Sequence, residues 1–393
     1  MSSDLRENEV REFLERMATE MPTPMQVPPR AIGRARRKLA RTFLAGSLAA
    51  GLAVVGVLSG TRAILRSEPQ PANEIDRETV VPIALDHAAS RVAIGEGSVW
   101  VGGVGTPDSV GGVTRVDPAT NQVVATFPGD AVYGCAIAVG EGAAWVSGPG
   151  TQLVRIDPVS NEASTILADT GGWTGPCAIA FHGLAVAGGS VWGFQDLSPL
   201  SRIDPGTGQV TTINRGENAG AVGVLDGTVW VATWRSKGDD EVDGYPFGVD
   251  ASTSEVVATI PIRVHGVTAG FGSLWSETSD EDSVDIVRID PATRSVVARL
   301  DLVAALDLTY DRDAPPQVSV AIGQGAVWVT VSVDYRGATA YRVVRIDPAT
   351  NEIAGVIDLE TPATDIAVGA GSVWVTDGEG TLYKIDPDAV VGS

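Results

Sequence analysis

The stretch Arg91-Val-Ala-Ile-Gly-Glu-Gly-Ser-Val-Trp-Val101 comes back six more times along the chain, and no other feature restricts the fold so tightly. Its tryptophan falls at Trp100, Trp145, Trp192, Trp230, Trp275, Trp328 and Trp374, at intervals of 45, 47, 38, 45, 53 and 46 residues. A second phrase keeps step with it. It reads Arg115-Val-Asp-Pro118, Arg155-Ile-Asp-Pro158, Arg202-Ile-Asp-Pro205, a degenerate Gly248-Val-Asp-Ala251, Arg288-Ile-Asp-Pro291, Arg345-Ile-Asp-Pro348 and Lys384-Ile-Asp-Pro387. Seven copies of a two-part unit at this period predict a closed array of small sheets rather than several unlike domains.

Within each unit, a strand such as Ala136–Val139 meets a Gly-Glu-Gly hairpin, and the Val-Trp strand follows. A variable loop leads to a third strand ending in Arg-Ile-Asp. The turn Asp-Pro-Ala-Thr-Asn then sets proline at the second turn position and lets Asn or Gly take positive φ. A fourth strand such as Gln122–Phe127 completes the unit. The fold class is therefore all-β, a seven-bladed β-propeller of four-stranded blades over residues 78–393. The chain stops shortly after the seventh Ile-Asp-Pro, before that blade's fourth strand. A spare strand, Glu78–Leu85, precedes the first tryptophan unit and should close the ring by completing the last blade.

Net charge is −21, unevenly spread. Residues 1–66 carry 11 Lys/Arg and 6 Asp/Glu, and the remainder carries 17 and 43. A body so acidic repels phosphate backbones, which argues against nucleic-acid binding and for metal ions or cationic partners. The basic cluster Arg34–Arg41 is followed by twenty uncharged residues, Thr42–Thr61. A helix of that length crosses the hydrocarbon core, and the cluster places the amino terminus in the cytoplasm. A cleaved signal peptide is the competing reading. The long charged leader and the lack of a clean small-x-small site favour an anchor. Both readings put the propeller outside the membrane. The expected organisation is a cytoplasmic tail with a short amphipathic helix (1–38), a transmembrane helix (39–65), a linker (66–77) and the propeller (78–393), in a monomeric chain held in the cell membrane. The tail helix is either a docking element or a segment leaning on the membrane surface, and the second is preferred.

The two short hairpin types should form one plain face, with the variable loops gathered on the other. The long variable stretches run Ala168–Cys177, Thr233–Pro246, Ser276–Asp285, Asp301–Val318 and Val331–Tyr341. Trp173, Trp234, Tyr133, Tyr245, Tyr310 and Tyr335 fall in variable loops, where binding residues concentrate on repeated scaffolds. They are candidate ligand contacts, or lids on the blade ends. The seven repeat tryptophans are read instead as packing between blades.

Registering the units on their tryptophans aligns one ring position, ten residues earlier: Ser90, Cys135, His182, Gly220, His265, Val318 and Thr364. Two of the chain's three histidines fall there, at the expected channel mouth. Glu277, two residues after Trp275, is charged where the other six units carry Gly102, Ser147, Phe194, Ala232, Thr330 and Thr376. His265, with His182, is a candidate general base and Glu277 a candidate ligand for Mg²⁺ or Ca²⁺. The alternative is unrelated polar residues in a wet channel. Cys135 and Cys177 are the only cysteines, and a bridge between them is a candidate disulfide outside the membrane. The acidic runs Asp239–Asp243 and Glu277–Asp285 lack EF-hand spacing and read as solvated loop charge.

The phrases Gly-x-Gly-x-Val-Trp and Arg-Ile-Asp-Pro-x-Thr resemble those of the virginiamycin B lyase (streptogramin lyase) and YVTN-repeat group of seven-bladed propellers. The resemblance covers residues 78–393. It implies the propeller fold and, for the lyases, the opening of a cyclic depsipeptide by elimination, with Mg²⁺, a histidine base and a glutamate from one blade. His265 and Glu277 resemble that His-Gly…Trp-x-Glu arrangement. One fold hosts many functions, so the expected function is a membrane-anchored extracytoplasmic module binding a small molecule, peptide or protein across the variable face. The alternative is a metal-dependent lyase of the resembled type.

Overall fold

The computed structural model describes residues 79–390, apart from 104–110, 130–131, 133, 149–151, 168–180, 196–197, 235–243, 280–282, 312–313 and 336–337. The tail, the Thr42–Thr61 segment and the linker lie outside the described residues. Among the described residues no helix is long and apolar enough to cross a membrane.

Seven four-stranded antiparallel sheets follow one another, each in simple up-and-down order. They are blades 1 to 7, numbered by their tryptophans from Trp100 to Trp374. The last sheet takes three strands from the carboxyl end and its outermost strand, Val80–Ala84, from the start of the propeller. That latch strand pairs antiparallel with Thr381–Ile385, Val80 opposite Ile385 and Ala84 opposite Thr381. Pro82 is tolerated because an outermost strand needs no donor on its free side. The innermost strands of neighbouring blades pack against one another all round, and that of blade 7 packs on that of blade 1. The closure expected for residues 78–85 is thus realised.

The core is divided among the blade seams. Among the described residues seven buried apolar clusters are found, each holding one repeat tryptophan. Trp100, for example, meets blade 2 through Ala144, Val146 and Ile156. Trp374 meets Val99 and Val101 of blade 1 together with Ile83 of the latch. Alternation explains the pattern, since each strand turns successive side chains to opposite faces and both faces of a blade meet a neighbour.

A charged relay runs between blades on the plain face. Arg115 lies over the ring of Trp100, 5.4 Å from its centroid. Its Nε donates to Ser98 Oγ at 2.8 Å, and its guanidinium reaches the blade 2 turn at Pro158 O and Asn161 Oδ1. Arg288 repeats this on Ser273, Pro348 O and Asn351 of blade 6. Arg202 reaches Ser254 of blade 4 at 2.8 Å. Lys384 closes the circle on Pro118 O (2.7 Å) and Asn121 (3.1 Å) of blade 1. At one seam both halves of the relay are missing together. Blade 4 carries Gly248 in place of the arginine, and the receiving position in blade 5 is Arg294 rather than Asn. Blade 3 receives with Gly208, which has no side chain, and Arg155 turns to its own Asp157 at 3.3 Å.

The turns explain the remaining repeat letters. Hairpin residues Glu96 and Gly97 both have positive φ (49° and 69°), the signature of a type I′ turn matched to strand twist. Asn121, Asn161 and Asn351 take positive φ at the end of the second turn. The turn aspartates accept backbone amides, as Asp117 does from Ala119 (2.8 Å) and Thr120 (3.4 Å). Such bonds stabilise the charged form and hold Asp117, Asp157, Asp204 and Asp290 below the usual carboxylate range. Asp250 is lowered to about 2, chiefly by the Ser252 hydroxyl at 2.6 Å.

Two of the expected variable loops are not loops. Ala326–Tyr335 and Ala338–Asp347 form one long hairpin, so residues 331–341 are mostly strand. Strand also replaces most of Ser276–Asp285, with Ser273–Ser279 paired to Val284–Asp290. Asp285 is not solvated loop charge either. It is buried and ion-paired with Arg299. The connection after Asp301 folds its first turn into a short helix, Leu302–Ala305, capped by the Asp301 carboxylate on the Ala304 amide.

Candidate functional site

Blade 5 breaks the repeat at its inner edge. Its innermost strand is only Thr268–Gly270, against Asn218–Leu225 and Gln317–Gly323 in the flanking blades. The preceding residues leave the ladder, yet His265 N still donates to Glu277 O at 3.1 Å. Ser276 Oγ replaces a lost ladder bond by donating to Gly266 O at 2.5 Å. Thr268 Oγ1 crosses the seam to Val320 O of blade 6 at 3.2 Å. The frayed edge opens a cleft of about 150 Å³ lined by His265, Gly266, Thr268, Trp275, Glu277 and, from blade 6, Val318 and Val320.

The two residues singled out by register meet here. His265 Nδ1 stands 3.5 Å from Glu277 Oε1, with both side chains partly exposed (38% and 21%). This spacing suits an ion pair in the protonated state, and closer approach would give a hydrogen bond that fixes the imidazole. Behind the pair, Trp275 Nε1 is buried without a partner, as is Thr278 Oγ1. The corresponding indoles of Trp145, Trp192, Trp328 and Trp374 all donate to the carbonyl five residues back, at 3.0–3.1 Å. A buried donor left unmade costs about 1–3 kcal/mol, so blade 5 carries a local destabilisation that blades 2, 3, 6 and 7 avoid.

The other candidates are scattered. His182 is exposed on Phe181–Ala187, where a bulge interrupts the pairing. It lies in blade 3, two blades round the ring from His265, and the structure does not bring them together. Tyr245 and Tyr310 are half-buried. Trp234 and Tyr335 end strands, opposite Asn218 and Ala338, and their side chains lie outside the described residues. Tyr133, Trp173, Cys177 and the Asp239–Asp243 run also lie outside them. Cys135 is buried and held in a disulfide, and Cys177 is the chain's other cysteine.

The donor set does not by itself fit a resident Mg²⁺ or Ca²⁺. It offers one imidazole and one carboxylate, and among the described residues no group of three His, Cys, Asp or Glu is placed to hold an ion. Six or more oxygen ligands are the rule for these cations.

Two carboxylates that sequence reading missed stand in blade 7 on the variable face, where the ring closes. Asp365 of blade 7 accepts from Val92 N of blade 1 at 3.0 Å. Half-buried at the inner edge of blade 7, it loses solvation, and this desolvation raises its pKa above the usual value, against the opposing pull of Arg91. Arg91 in turn donates to Cys135 O of blade 2 at 3.2 Å. Asp377 gathers the amides of Glu379, Gly380 and Thr381 at 2.8–2.9 Å. Burial works against its charge, but those bonds win and the pKa is lowered. A single aspartate at a strand start or loop carries no periodic signal, which is why neither was visible beforehand.

The fold and site define a seven-bladed propeller with an irregular blade 5. No protein-family profile matches the chain, and no curated protein matches it. Solved propellers share its shape at low identity. The structure of YCF48 bound to D1 peptide aligns with a TM-score of 0.53 and 12% identity, over 82% of this chain and 100% of that one. The WD40 β-propeller domain of Doa1 gives 0.51 and 12%, over 78% and 96%. BamB from Moraxella catarrhalis gives 0.50 and 12%, over 78% and 98%. At such identities the likeness concerns the fold alone.

Proposed function

We propose that this chain is a membrane-anchored, extracytoplasmic propeller that binds a protein or peptide across its variable-loop face. One observation carries the reading: the plain face repeats one set of contacts from blade to blade, whereas the variable face carries residues that depart from the repeat. On the plain face the repeated Arg, Asp and Asn side chains are consumed in bonds within and between blades. On the variable face the non-repeating groups, His265 and Glu277 among them, line an open cleft. YCF48, of the same fold, was solved with a peptide bound, which supports a peptide or protein ligand. The anchor rests on the uncharged run Thr42–Thr61 behind its basic cluster.

The test is the size of the complex extracted from membranes. Glu277→Lys or Thr339→Lys on the variable face should return the protein to its own mass. Ala119→Lys or Ala292→Lys on the plain face should leave the complex intact. Loss from plain-face changes alone would refute the reading.

A second reading is favoured by the 3.5 Å His265–Glu277 pair. In it, His265 is the base of an elimination that opens a cyclic depsipeptide, and Glu277 orients the imidazole. Against it stands the cleft volume of about 150 Å³, well under the roughly 300–1,000 Å³ of pockets that enclose a drug-sized ligand. His265→Ala should abolish turnover of such a depsipeptide if this reading holds, while leaving a broad protein contact nearly unchanged.

A further inference from the structure

We propose, building on the peptide-binding reading above, that the blade 5 cleft seats a single basic side chain, lysine or arginine, carried by the partner. The balance of donors and acceptors in the cleft points that way. The Glu277 side chain is only 21% exposed, and His265 Nδ1 stands 3.5 Å from its carboxylate. Among the described residues no hydrogen bond is donated to that carboxylate, which has about four acceptor sites to fill. The hydroxyl hydrogens nearby are already spent. Ser276 Oγ donates to Gly266 O at 2.5 Å, and Thr268 Oγ1 donates to Val320 O at 3.2 Å. Those four oxygens can still accept. The Trp275 indole N–H is sealed from solvent. Apart from His265, the described side chains of the cleft therefore present acceptors and no hydrogen. An occupant must bring its own, and an ammonium or guanidinium does so with the charge that Glu277 attracts.

Shape and charge agree. Val267, Val318 and Val320 line the cleft with apolar surface, along which the methylene stem of a lysine or arginine lies while its head reaches a polar group. The volume of about 150 Å³ equals that of roughly five waters in the liquid, room for one side chain. The other six blades carry neutral residues where blade 5 has Glu277, so the seat occurs once on the ring. Residues 67–393 carry 17 Lys/Arg against 43 Asp/Glu, a field that draws basic segments in.

The test titrates the full chain with capped tripeptides, Gly-X-Gly, in which X is lysine, arginine, norleucine or glutamate. Binding is read by saturation-transfer NMR on the peptides. The basic peptides should bind about tenfold more tightly than the norleucine one, and the glutamate peptide should bind weakest. Two variants remove the seat in different ways. Glu277→Gln keeps the size and removes the charge. Gly266→Leu fills the space, since a Cβ at Gly266 meets nothing within 4 Å and so leaves the backbone undisturbed. Melting curves confirm that both variants fold. Each should erase the preference for lysine and arginine. Equal binding of the lysine and norleucine peptides, or a preference that survives either variant, overturns the inference. The complex extracted from membranes separates it from the reading beneath it. If Glu277→Gln and Gly266→Leu leave the complex intact while Thr339→Lys dissolves it, the variable face stands and the basic seat falls. Loss with Ala119→Lys alone overturns both.

Discussion

The plain-face relay predicts that the ring closure is under-stabilised and can be repaired with one substitution. Lys384 occupies the position of Arg115, Arg202 and Arg288, but it spends its ammonium on Pro118 O and Asn121. In those three blades the arginine Nε also donates to a serine, Ser98, Ser190 or Ser273, at 2.8–2.9 Å. Ser372 holds the matching place in blade 7 without that donor. Around it lies a cavity of about 280 Å³ lined by Thr79, Val81, Asn121, Gly371, Ser372, Lys384 and Asp386. Lys384→Arg should fill part of this space, keep the contacts to blade 1 and add the bond to Ser372. A net hydrogen bond contributes about 0.5–1.5 kcal/mol. With an unfolding entropy of about 2.1 cal/mol/K per residue over roughly 300 residues, that raises the melting midpoint by about 1–2 °C. The reverse change, Arg288→Lys, should lower it by a similar amount. Differential scanning calorimetry on both variants decides the matter. A fall with Lys384→Arg, or no change with Arg288→Lys, would refute the reasoning.

Other consequences can be checked on the same preparation. Ile83 of the latch is buried against Trp374 and Leu382, so Ile83→Ala should cost about 2–5 kcal/mol and lower the chemical-denaturation midpoint without changing the slope. Asp365 has a raised folded pKa, so its contribution is full below the unfolded value near 4 and is lost as pH rises through the raised one. Asp365→Asn keeps an acceptor for Val92 and should stabilise at pH 7, with the gain vanishing near pH 3 in a pH series of melts. Asp250 has the opposite sign. Its lowered value of about 2 means a contribution present above pH 4 and lost as pH falls through 2, so Asp250→Asn should destabilise at pH 7 and match the unsubstituted protein near pH 2.

The ring was legible because each blade repeats the same local chemistry, a type I′ hairpin, a buried tryptophan and an aspartate-capped turn. Even the latch could be read, since one strand was missing at the end and one was spare at the start. Register also picked out His265 and Glu277, and the structure brings them to 3.5 Å. The walls of their cleft were hidden, because Val318 and Val320 come from the next blade and no local pattern announces a seam. Loop reading failed where strands carry charge. Asp285 is paired inside by Arg299, which a count of acidic residues cannot show. The 331–341 hairpin did carry a period-2 signal in Val331, Val333 and Tyr335, outweighed by its polar residues. The joint loss at Gly248 and Arg294 became meaningful only once the relay was seen to run from blade to blade.

The central claim, that the variable face is where this protein meets its ligand, is tested most directly by photo-crosslinking in the cells that express it. A photoreactive amino acid is placed singly at Tyr245, Tyr310 or Thr339 on the variable face and at Ala119, Ala292 or Ala349 on the plain face. The account predicts a discrete crosslinked product from variable-face positions, lost when Glu277→Lys is added, and none from the plain face. The same product from plain-face positions, with none from the variable face, would contradict it.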